Sequence, residues 1–186
     1  MAKRTITTQQ WRKLKDETRN TALAILHTCG VIVERTKQPD WINGAEPNIC
    51  SALYTHAVEE YGKVILLQAH LAVNGFVVID DAEFRNHKLK FNLALKNLPE
   101  QYKILKKGSF SSKSFSDDYS LDTIANQDTR WEVLYTDFDD SGKVKQYPPI
   151  DRDTLNEAIE GLKTELFGVD IINKNENISL KESFEL

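Results

Sequence analysis

"AVEEYGKVILLQAHL", residues 57–71, sets two adjacent glutamates and a lysine into a run that is otherwise apolar. At about 100° per residue, Leu53, Ala57, Glu60, Val64, Leu67 and Leu71 fall on one stripe of a helix, with Glu60 at its middle. Ala52, His56, Glu59, Lys63 and His70 form a polar strip beside it. An unpaired buried carboxylate is strongly destabilising, so Glu60 on a core-facing stripe needs a cation or a proton. The stretch predicts a buried helix that carries ionisable groups to its packing surface. Gly62, inside that helix, costs about 1 kcal/mol against alanine and marks a place where another backbone or side chain comes close.

Upstream, Trp11, Leu14, Ala22, Ile25, Cys29 and Ile32 recur at helical spacing from Thr7 to about Arg35, and Thr7 with Gln10 forms a capping box. "TKQPDWINGAEPN", residues 36–48, stops this first helix and offers Asn48 as the cap of a second, expected over Ile49–Asn74 with Gly75 as its stop. Downstream, "FVVIDD" is a short extended link, and Asp80 and Asp81 cap a third helix from Ala82 to about Leu98, ended by Pro99. In that helix Phe84, His87, Lys88, Phe91, Leu95 and Leu98 share one face, which predicts His87 and Lys88 in the interior seam and a Glu60 to Lys88 ion pair.

Residues 106–120 are rich in serine and lysine without apolar period and read as a mobile loop, whose interleaved basic and aromatic residues suit a nucleic-acid backbone. Residues 121–149 read as a fourth helix passing into a hairpin around "DDSG". Leu155, Ala158, Ile159, Leu162 and Leu166 give a last helix over Asp153–Phe167, and the polar tail from about 174 to 186 is expected to fray. The fold class is all-α, a bundle of about five helices with a small β-hairpin insertion, in one domain over residues 1–186.

Composition narrows the function classes. A net charge of -4 argues against a generally basic nucleic-acid coat. No run of about 18 uncharged apolar residues exists, so no membrane span is expected and the cytoplasm is the expected compartment. Cys29 and Cys50 lie in apolar helical patterns and read as buried thiols. His56 with Glu60, and Glu83 with His87, have chelating i, i+4 spacing but lack the HExxH or ExxH context of metal helices; no metal and no cofactor are expected. His27 projects away from the apolar stripe of its helix and reads as exposed.

Three phrases carry a family resemblance: "HAVEEYGKVILLQAHL" at 56–71, "FRNHKLKFNLAL" at 84–95 and "RWEVLYTDFDDSGKVKQYPP" at 130–149. Together they resemble the AbiV-type abortive infection proteins of the HEPN superfamily, through Glu59, Glu60, Gly62 and Lys63, then His87, Lys88 and Lys90, then Arg130, Leu134, Tyr135 and Asp137. The resemblance implies a HEPN-like helical bundle, a homodimer, and bacterial defence against phage in which the host halts its own metabolism. The arginine that HEPN ribonucleases place four to six residues before a histidine is missing, since "RNH" at 85–87 is too short.

Two functions stay open at this point. In the first, a metal-independent ribonuclease cuts cellular RNA, with His87, Lys88, Lys63 and Arg130 supplying acid, base and phosphate-binding cation, Glu60 orienting them, and Glu59, His56, Tyr135 and Asp137 lining the site. In the second, a non-catalytic protein of the same fold arrests growth by binding a host component or a phage trigger protein, and the charged seam serves stability.

Overall fold

The computed structural model describes residues 3–37, 46–70, 73–99, 104–106, 118–120 and 152–182. Five helices are described: α1 (Thr8–Arg35), α2 (Glu46–Ala69), α3 (Asp81–Arg85), α4 (His87–Asn97) and α5 (Arg152–Glu182). Four short strands accompany them: β1 (Lys3–Thr7), β2 (Phe76–Asp80), β3 (Ile104–Lys106) and β4 (Asp118–Ser120). The chain is thus a helical bundle with small antiparallel sheets. Among the described residues, no helix is long and apolar enough to cross a membrane.

The start of α1 follows the expected capping box. The Thr7 side chain accepts from the Gln10 amide, and the Gln10 side chain accepts from the Thr7 amide. Thr7 also ends β1, which pairs antiparallel with β2 in the register Ile6 to Val77 and Thr7 to Phe76. Val73 and Phe76 exchange both backbone hydrogen bonds across Asn74 and Gly75, whose φ angles of 52° and 79° give the two-residue hairpin turn that asparagine and glycine favour. The Gly75 carbonyl accepts from the Thr8 amide at 2.9 Å, so this turn docks on the start of α1.

Several boundaries differ from expectation. Helix α2 begins at Glu46 rather than Ile49, because proline is tolerated in a first turn and an acidic residue suits its positive end. It stops at Ala69, and Gly75 serves the turn before β2 rather than the helix end. The expected third helix is two helices. Asp80 caps α3 by accepting from the Ala82 amide, Asn86 breaks the chain direction, and the Asn86 side chain caps α4 by accepting from the Leu89 amide. Lys106, at the start of the stretch read as a mobile loop, ends β3, which pairs with β4 at the end of that stretch. Helix α5 continues to Glu182, beyond Phe167 and through the part of the tail expected to fray, because lysine and glutamate there favour helix. The helix and hairpin expected over 121–149 lie outside the described residues.

Helix α2 is the central member and packs against α1, α4 and α5. It is buried on nearly every side from Cys50 to Leu67, with Ser51, Thr55, Glu59 and Glu60 buried beside the apolar residues and His56 exposed. The main core joins Leu26 and Val33 of α1, Tyr54 and Val58 of α2, Phe91 and Ala94 of α4, and Leu155, Ile159 and Leu162 of α5. A second, smaller core forms where Val77 and Ile79 of β2 meet Leu67, with Ile6, Trp11, Leu14 and Phe84 around them. The Trp11 indole donates to the Leu67 carbonyl at 2.9 Å, and the Lys15 ammonium sits 4.5 Å over the same ring.

Candidate functional site

Helices α2 and α4 touch at Gly62. A Cβ placed there would lie 1.8 Å from the Lys90 carbonyl oxygen, so only glycine lets the two backbones approach this closely. The close approach expected at Gly62 is thus the main chain of Lys90. It delivers the Lys90 side chain straight onto α2.

There, Glu59 is the anchor. The residue is 3% exposed, and its Oε1 lies 2.7 Å from Lys90 Nζ and 2.7 Å from His87 Nδ1. Lys90 is 2% exposed, whereas the His87 side chain is 48% exposed. Burial alone would push the Glu59 carboxyl up. The hydrogen bonds and charges of Lys90 and His87 outweigh it and hold the group below its ordinary range. An ionised carboxylate only accepts, so His87 Nδ1 carries a proton and Nε2 is the ring nitrogen left for another partner.

Glu60 is buried too, and pairs with Lys63 one turn along α2. His56 Nε2 stands 4.0 Å from the same Glu60 oxygen, on a side chain that is 49% exposed. The expected Glu60 to Lys88 pair does not form. Lys88 is exposed, and the interior position is taken by Lys90. The cause is Asn86: restarting the helix at His87 resets its phase, so Lys90, Phe91 and Ala94 face inward. His87 reaches Glu59 from the rim of this contact rather than from inside it.

Of the residues read as site candidates, the structure gathers Glu59, Glu60, Lys63, His56 and His87 on one side of α2 and leaves Lys88 beside them in solvent. Arg130, Tyr135 and Asp137 lie outside the described residues. Lys90 was the unassigned member. Reading Asn86 as a cap would have found it, because a helix that restarts at His87 is free of the phase of Phe84 and can turn Lys90 inward with Phe91 and Ala94. Glu83 faces His70 at 3.7 Å and is not a partner of His87, and His27 is exposed, as its projection indicated.

Cys29 and Cys50 are free and fully buried between α1 and α2, each thiol turned to the other's carbonyl at 3.4 and 3.8 Å. The hydrogen bond with Cys50, and burial, push the Cys29 thiol far up, so it is inert as a nucleophile. Among the described residues no group of three or more histidine, cysteine or acidic side chains could hold a metal.

No protein-family model, no curated protein and no solved structure matches this chain.

Proposed function

We propose that this chain is a cytoplasmic phage-defence protein of the AbiV type, with a HEPN-like fold, that works as a homodimer and cuts cellular RNA without a metal. The observation that carries the reading is the Glu59–His87 contact: a buried carboxylate holds one ring nitrogen of a half-exposed imidazole. Such an arrangement selects a tautomer and an orientation, which a proton-transfer group needs and a surface histidine otherwise lacks. Lys88, exposed next to His87 at the start of α4, supplies a cation for phosphate.

The test is cleavage of total RNA by purified protein in EDTA, alone and with phage lysate. Wild-type protein is expected to cut, and His87→Ala to lose about two to four orders of magnitude in rate while unfolding as the wild type does. Cutting by His87→Ala at the wild-type rate removes this mechanism.

A second reading, a non-catalytic protein that arrests growth by binding a host component or a phage trigger, is favoured by a different feature. Val73, Phe76 and Val78 are exposed along the hairpin turn and outer face of β2, an apolar row of the kind that marks protein contacts. RNA left intact with and without phage lysate, together with a stable complex that Phe76→Glu abolishes, would select it.

A further inference from the structure

Glu59 and Glu60 are neighbours in sequence and repeat one arrangement. Each is buried, and each turns one oxygen toward both a lysine and a histidine: Lys90 and His87 at Glu59, Lys63 and His56 at Glu60. In both cases the histidine is the half-exposed member, and its lysine partner is the more buried one. A carboxylate that served only helix register would be satisfied by its lysine. Here Glu59 also hydrogen-bonds a half-exposed imidazole at 2.7 Å, and Glu60 has a second one within 4.0 Å.

We propose that His56 is the second proton-transfer group of the site, acting opposite His87; this rests on the ribonuclease reading above. His56 precedes Glu59 by three residues and Glu60 by four, so on the surface of α2 it sits between them, one turn earlier. Helical side chains lean toward the N-terminus, which carries both carboxylates over the turn of His56. His87 comes onto Glu59 from α4, so the two rings flank one pair of carboxylates. The charged groups around them are Lys90 and Lys63 on those carboxylates, with Arg85 and Lys88 exposed on the α3–α4 side.

Metal-independent RNA cleavage needs such a pair. With the His87 ring in its neutral form, Nε2 takes the proton from a ribose 2′-hydroxyl; that oxygen forms a bond to the adjacent phosphorus, and the phosphorus–5′-oxygen bond breaks. His56, protonated, gives its proton to the departing 5′-oxygen. The products are a 2′,3′-cyclic phosphate and a 5′-hydroxyl. One proton has been gained by His87 and one lost by His56, and exchange with water resets both.

The experiment compares wild type, His56→Ala and His87→Ala on a short mixed-sequence oligoribonucleotide and on the same oligomer with sulfur replacing the bridging 5′-oxygen, in EDTA across pH. A thiolate leaves without an acid. The expected result is that His56→Ala cuts the ordinary oligomer about 10²–10⁴-fold more slowly and loses the descending, alkaline limb of the profile. With the sulfur oligomer His56→Ala returns to within a few-fold of wild type, and His87→Ala does not. Wild-type rate and both limbs in His56→Ala overturn the proposal, and so does an equal loss on both oligomers. In either of those outcomes wild-type cleavage leaves the ribonuclease reading standing. Failure of the wild type to cut either oligomer ends both.

Discussion

Gly62 on α2 lies against the main chain of Lys90 on α4, so close that an added methyl carbon would stand 1.8 Å from the Lys90 carbonyl oxygen and 2.5 Å from its carbon. Backbone is the least yielding neighbour a side chain can meet. The crossing of these helices therefore depends on one missing Cβ, and the placement of Lys90 and His87 on Glu59 depends on the crossing.

Gly62→Ala puts two effects in opposition. Helix propensity favours alanine by about 1 kcal/mol, whereas overpacking against main chain costs about 3 kcal/mol or more. The clash wins. Urea unfolding is expected to show a net loss of about 2 kcal/mol or more; a stabilised variant would mean that α4 does not cross here.

The Glu59 carboxyl is held below its ordinary value of 4.5 in the folded chain. A group whose folded pKa is lowered contributes stability that is fully present above its unfolded pKa and is lost as pH falls through its folded pKa. Glu59→Gln removes the charge at every pH. Melting temperatures of wild type and Glu59→Gln are thus expected to differ most near neutrality and to converge as pH falls below 4.5 and on through the lowered folded pKa, with convergence toward high pH as the contrary result.

Lys90→Met takes from the buried Glu59 its buried cation, and removal of one member of a buried pair typically costs about 3–5 kcal/mol. Replacing both, as Glu59→Leu with Lys90→Met, removes the uncompensated charge and is expected to recover much of that loss. A double-mutant cycle by denaturant unfolding measures it. Additive losses in the double variant would show that the 2.7 Å contact carries no coupling.

Cys29 and Cys50 are both fully buried. A thiol reagent is expected to label neither in the native protein and both in denaturant, at a rate that follows opening of the α1–α2 contact. Rapid labelling without denaturant would place these thiols at the surface.

Asn86 shows how far local reading carries. Its side chain is an ordinary N-cap, legible in "FRNHKLKF", but a continuous helix through it was the simpler pattern, and that choice turned Lys88 inward and Lys90 outward. Strand β1 escaped for another reason. Lys3–Thr7 shows little alternation and becomes a strand because β2, more than seventy residues later, supplies its hydrogen bonds. The capping box at Thr7, the apolar stripe of α5 and the close approach at Gly62 were all legible, since each depends on contacts within a few residues or on the mere absence of a side chain.

Residue types and their local spacing established that α2 is buried, that it carries carboxylates and that those need cations, because the penalty for an unpaired buried charge is independent of topology. Which cation answers which carboxylate is a matter of helix phase and of the distance between two backbones. The break at Asn86 and the bare Cα of Gly62 set both, giving Lys90 and His87 to Glu59 and leaving Lys63 and His56 to Glu60. Lys88 stands two residues before Lys90, about 200° around α4, so the same two lysines in a helix of different phase would bury the one that is exposed here.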